Sequence, residues 1–135
     1  MTTLMSAAEL TQLLEREFPQ IDMGGEFVIE AVSPMGAVMR LKGQDKHLRP
    51  GGTMSGPAMF LLADVAFYVA IMAQIGPQSL TVTTNLNINF LRKPEPGDLL
   101  AEVRLLKLGK RLAVGECFLH SRSEEHTSEL QSHLN

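Results

Sequence analysis

The chain has 135 residues, 44% of them hydrophobic, and a formal net charge of −3. That length fits one domain with a sizeable core, and the acidic balance argues against a nucleic-acid binder, which normally carries a basic excess. The lone Cys117 permits no intrachain disulfide and fits a reducing, cytoplasmic setting. The N-terminus lacks the basic-then-apolar order of a signal peptide.

The first element is predicted from Ser6-Ala7-Ala8-Glu9, a capping-box pattern. Leu10, Leu13, Leu14 and Phe18 follow at helical spacing and Pro19 stops the run, so residues 1–19 read as an N-terminal helical segment. Phe27 to Val32 and Ala37 to Lys42 read as two strands around the turn Ser33-Pro34-Met35-Gly36. Gln44 to Gly56 reads as a Gly-, Pro- and charge-rich loop.

A long apolar helix is predicted over 56–75. Pro57 suits its first turn, because the N–H that proline lacks has no partner there, and Gly76-Pro77 ends it. Asp64 divides the run into seven and nine apolar residues, Pro57 to Ala63 and Val65 to Ala73. A central Asp costs about 3 kcal/mol on insertion scales. The segment therefore reads as the core helix of a globular domain, not a membrane span. At helical spacing Asp64 is flanked by Phe60, Leu61, Phe67 and Tyr68, so burial is expected to raise its pKa. An ionised carboxylate in such a place needs a partner or a function.

Thr81 to Leu91 alternates: Val82, Leu86, Ile88 and Phe90 on one face; Thr83, Asn85, Asn87 and Asn89 on the other. The asparagine row could line a site or satisfy a seam between subunits. Leu99 to Leu108 and Leu112 to Ser121 form a second hairpin around Gly109-Lys110. A helix this apolar needs a surface around most of its circumference. The expected fold is therefore α+β, a curved antiparallel sheet wrapped around one long central helix, spanning residues 1–121. Residues 122–135 change character: Arg122 to Ser132 matches the in-frame translation of a common sequencing adapter. This tail is set aside as non-native, with loss of the natural C-terminus as the expectation.

Gly51-Gly52-Thr53-Met54-Ser55-Gly56-Pro57 with Leu62-Ala63-Asp64 resembles the hotdog-fold acyl-CoA thioesterases of the phenylacetate-pathway type. Val82-Thr83-Thr84, Asn87 through Pro94, Gly97-Asp98-Leu99 and Lys107 through Arg111 continue the resemblance in order. It implies hydrolysis of a short-chain or aromatic acyl-CoA, with Asp64 as general base or nucleophile and the Gly56 N–H as oxyanion donor. It also implies that Thr83 helps place water, and that the site lies between subunits of a homodimer or tetramer, the 81–91 strand pairing across the dimer. No metal or redox cofactor is implied. Two residues depart from the family: Ser55 stands where its His is usual, and Arg49 where an Asn is frequent. The family also adds a last strand inside the sheet, where this chain has residues 122–135.

The residues allow other readings. Asp64 could be a structural carboxylate bonded to Tyr68 or to strand asparagines. Ser55 could be a helix N-cap or a catalytic group. Arg49 could meet a substrate anion or be solvated. Arg92, Lys93, Lys110 and Arg111 could meet CoA phosphates or be solvated. A pocket with Met54, Met59 and Phe60 near its mouth would suit an acyl or aryl group, with Pro57 a further substrate-binding candidate. Cys117 reads as core, and His47 and His120 as too isolated for a metal. The rival function is a non-catalytic acyl-CoA-binding hotdog protein.

Overall fold

A computed structural model of the chain describes residues 3–43, 56–76, 85–89, 98–109 and 112–121. The elements are α1 (Ala7–Glu17), β1 (Phe27–Ser33), β2 (Gly36–Leu41), α2 (Gly56–Ile75), β3 (Asn85–Asn89), β4 (Leu99–Leu108) and β5 (Ala113–Ser121). The strands form one sheet in the order β1-β2-β4-β5-β3.

α1 begins where the capping box places it. The Ser6 N–H donates to Glu9 Oε1 at 2.9 Å, and the Glu9 N–H donates to Ser6 Oγ at 3.2 Å. Its buried stripe is Leu10, Leu13 and Leu14. The two predicted hairpins are present. β1 and β2 turn through Pro34 and Met35, and Met35 has a φ of 62°. That left-handed conformation is disfavoured for a side chain with a Cβ. It is held from both sides. The Leu105 N–H donates to the Met35 carbonyl at 2.8 Å, and Gln74 Nε2 of α2 donates to the Ser33 carbonyl at 3.0 Å.

Alternation along the strands aims one set of side chains at α2. Ala37, Met39 and Leu41 come from β2, Leu99, Ala101, Val103 and Leu105 from β4, and Ala113, Cys117 and Leu119 from β5. Against them α2 buries eleven residues, including Leu62, Val69 and Met72. Each such side chain is worth roughly 1.5–3 kcal/mol relative to exposure. Although α2 is long and apolar enough to cross a membrane, here it forms the packed centre of the domain.

The antiparallel sheet expected around the central helix is present in four strands, and β3 is added to it in parallel. β1, β2, β4 and β5 are antiparallel neighbours, but β3 pairs with β5 in parallel, Asn85 opposite Val114 through Asn89 opposite Phe118. Neighbours in an antiparallel sheet alternate direction. Two strands separated by one further strand run the same way, and when they touch directly they pair in parallel. The β5–β3 contact thus has the polarity of a sheet with no strand between those two. The rest of the predicted 81–91 strand and the 122–135 tail lie outside the described residues.

Candidate active site

α2 is not covered evenly. The N-terminal segment of the chain lies against its second half. The Leu4 and Met5 N–H groups both reach the Ala73 carbonyl, at 2.7 and 3.3 Å. Phe18 meets the Tyr68 ring edge-to-face, with centroids 5.4 Å apart and planes at 82°. Among the described residues, none covers the first half of α2 in this way on one side. At 100° per residue, Pro57, Phe60, Leu61 and Asp64 share a stripe, and all four are exposed, Phe60 at 63% and Leu61 at 44%.

Asp64 is therefore placed differently from the expectation. Its sequence neighbours are apolar, yet it faces solvent in the single chain, and the expected desolvation is not supplied by the chain's own fold. Among the described residues no hydrogen bond or ion pair reaches its carboxylate. The alternative of a structural bond to Tyr68 fails as well. Tyr68 is held on the α1 side by Phe18, and partial burial, with a smaller contribution from nearby Glu17, pushes its phenol above the usual value.

Gly56 is the first residue of α2 and is exposed, with open space where a side chain would project. The first turn holds no acidic residue, so the partial positive charge of the helix end is not neutralised from within it. Pro57 follows with no N–H to offer. Gly56, Pro57, Phe60 and Asp64 are thus brought onto one open face. The other nominated residues, Ser55, Thr83, Arg49, Met54, Arg92, Lys93, Lys110 and Arg111, lie outside the described residues.

Two features were not singled out from the sequence. Phe67, one turn beyond Asp64, seats its ring over Gly115 of β5. A Cβ on Gly115 would lie 2.5 Å from Phe67 Cε1 and 3.1 Å from the Arg104 carbonyl oxygen. The available signal was a glycine inside an otherwise alternating strand, which marks close approach of another element. The second feature is His120, which is buried on the sheet face away from α2, its Nε2 2.7 Å from Glu102 Oε2. The β4–β5 hairpin register brings that pair together. Among the described residues no three His, Cys, Asp or Glu converge as metal ligands.

A cleft of about 350 Å³ opens beside the β1–β2 turn, lined by Pro34, Val38, Glu102, Arg104 and Phe118. Among the described residues that line it, none is a nominated site residue.

Comparison with known proteins agrees with this architecture. Residues 51–127 match the thioesterase superfamily. A protein of Pseudomonas aeruginosa, provisionally named an esterase, is 33% identical over 87% of this chain and 89% of its own length. A crystal structure from Silicibacter, provisionally described as a thioesterase, is 50% identical, covers 90% of this chain and 84% of its own, and has a TM-score of 0.79. The PaaI protein of the E. coli phenylacetic acid degradation operon shares the fold at 24% identity, covering 72% of this chain and 69% of its own (TM-score 0.57). A thioesterase-type protein of Streptococcus pneumoniae, solved with coenzyme A, shares it at 16% identity, covering 73% and 76% (TM-score 0.60). With its curved sheet, its long central helix and its open Asp64 face, the chain belongs to the thioesterase superfamily and has the hotdog fold.

Proposed function

We propose that the protein is an acyl-CoA thioesterase hydrolysing a short-chain or aromatic acyl-CoA, with Asp64 as the group that activates water or attacks the thioester itself. The observation that carries this reading is the Asp64 carboxylate. It is exposed and unpaired among the described residues, and it stands beside exposed Phe60 and Leu61 on a helix that buries eleven residues. Selection for stability alone favours neither an unpaired carboxylate nor exposed Phe and Leu at that place. A site that places a charged base against an apolar acyl group accounts for both. The coenzyme A held by the pneumococcal protein of this fold supports CoA as the thiol.

The chemistry follows from the groups. Asp64 takes a proton from water as the oxygen attacks the thioester carbon. Negative charge gathers on the carbonyl oxygen, where a backbone N–H at a helix N-terminus stabilises it. The C–S bond then breaks, and the proton ends on the departing thiol. In the alternative order Asp64 itself attacks, and water then hydrolyses the mixed anhydride. Gly56 is the candidate donor, but Gly56 and Asp64 are eight residues apart, about 12 Å along the helix axis. A reacting centre needs nucleophile and oxyanion donor each about 3 Å away. We therefore assign the two groups to different subunits, Asp64 from one copy and Gly56 from the other, in a homodimer or a tetramer of such dimers. The second copy would also cover Phe60 and Leu61 and supply the desolvation of Asp64 that the single chain lacks. We place the enzyme in the cytoplasm, in keeping with a single, fully buried thiol.

Release of free thiol from a panel of acyl-CoAs tests the reading, with Asp64→Asn alongside. Turnover that disappears in the variant supports the enzyme. Unchanged turnover in Asp64→Asn removes Asp64 from the mechanism. Tight acyl-CoA binding without turnover in the unaltered protein favours the non-catalytic binding module, the reading that Ser55 in place of the family's usual His favours.

A further inference from the structure

We infer that Gly115 and Phe67 form a positioning lock that fixes the rotation of α2 and so the direction in which Asp64 projects. The inference rests on the catalytic reading of Asp64 given above. α2 is apolar on nearly every side, and its buried faces carry Ala63, Ala66, Ala70 and Ala73, each fully buried. Small side chains let the helix lie close to the sheet, but they offer only shallow ridges for grooves to grip. Because the helix is hydrophobic nearly all round, its apolar pattern by itself specifies its rotation only loosely. The Asp64 carboxylate excludes rotations that would bury it, but it does not choose among those that leave it in solvent. The contacts of Tyr68 with Phe18 and of Gln74 with Ser33 orient the second half of α2; a deeper contact next to Asp64 would orient the first.

The Phe67 ring supplies it. The ring is buried and follows Asp64 by three residues, about 60° round the helix. On β5, Gly115 lies between Ala113 and Cys117 on the face toward α2. Its missing side chain forms the notch into which the ring descends, closer than any Cβ would allow, with Cε1 2.5 Å and Cδ1 3.3 Å from where that Cβ would be. The Arg104 carbonyl oxygen, 3.1 Å from the same point, closes the other side. Gly115 has no left-handed φ, so what it provides is space and not conformational freedom. Filling the notch would lift or turn the ring, and Asp64 with it.

The test is a set of purified full-length variants: Gly115→Ala, Phe67→Leu, the double variant and Asp64→Asn. Folding is checked by circular dichroism and oligomeric mass by light scattering, and kcat and KM are measured on the best acyl-CoA. The expected result for Gly115→Ala is a folded protein whose kcat falls roughly ten- to a hundredfold, as for a misplaced catalytic group, with KM changed less than about threefold. The double variant, with a smaller side chain over the new methyl, is expected to recover kcat to within about threefold of the unaltered protein. A purely structural role would lower the melting temperature and leave the kcat of the folded protein alone. If Gly115→Ala does not fold, Phe67→Leu alone carries the test: an unlocked but folded helix should show reduced kcat at near-constant KM. Full kcat in folded Gly115→Ala, or in Phe67→Leu if that variant carries the test, overturns the lock. So does a double variant no better than Gly115→Ala. The Asp64→Asn arm separates the two ideas. If it is inactive while Gly115→Ala is fully active, the lock fails and the thioesterase reading stands. If it is fully active, both fail.

Discussion

Asp64 and Cys117 are both acidic side chains, opposite in situation. Asp64 is an ionisable side chain on a hydrophobic helix that the single chain leaves in solvent, whereas Cys117 is fully buried in the sheet core. Because Asp64 has no partner among the described residues, Asp64→Asn should not lower stability in a denaturant melt, while turnover is lost. Burial, helped by the negative charge of Glu102, pushes the Cys117 thiol from 9.0 up to about 12. The folded form thus holds that proton more tightly than the unfolded one. Its contribution to stability is complete below pH 9 and declines as pH rises from about 9 toward 12. A thiol reagent at pH 8 should leave Cys117 unmodified in the native protein and modify it on addition of denaturant. Rapid native labelling would contradict the burial.

The elements show how local rules were enough in some places and not in others. Ser6 and Glu9 announced α1 because a capping box is a local hydrogen-bond exchange that sequence spacing specifies, and both bonds are present. Ser6→Ala should cost about 1 kcal/mol in a melting experiment. Both hairpins were legible because alternation and turn residues coincide there. At Gly24, with φ 89° and open space around its missing Cβ, an alanine meets no neighbour. The expected loss for Gly24→Ala, about 1 kcal/mol from backbone strain alone, reads out the left-handed conformation directly. Three things were not legible. The parallel β3–β5 pairing depends on which strands become neighbours, and no local pattern carries that. The seating of Phe67 over Gly115 joins residues far apart in sequence, and only the strand glycine hinted at it. The exposure of Asp64 was misjudged for a third reason. Apolar neighbours at helical spacing say that a surface is to be covered, but not whether the cover is the same chain or another copy.

At the scale of the whole molecule, that uncovered surface organises the account. α1 and the segment before it close over the second half of α2, from Tyr68 to Ala73, while Pro57, Phe60, Leu61 and Asp64 remain open. Phe60 and Leu61 make the open stripe apolar, and the distance from Gly56 to Asp64 is too great for one chain to bring both to one carbonyl. The second copy proposed above would resolve both. Phe60→Glu should accordingly shift the mass in light scattering from dimer or tetramer toward monomer, and turnover should fall with it. An unchanged mass would place the subunit contact elsewhere.

The central claim is that Asp64 performs thioester hydrolysis, and steady-state thiol release from acyl-CoAs by unaltered and Asp64→Asn protein, both shown to be folded and of the same oligomeric mass, tests it most directly. Measurable turnover of a short-chain or aromatic acyl-CoA is expected, with a loss of at least about a hundredfold in the variant. Equal turnover by the two proteins would contradict it.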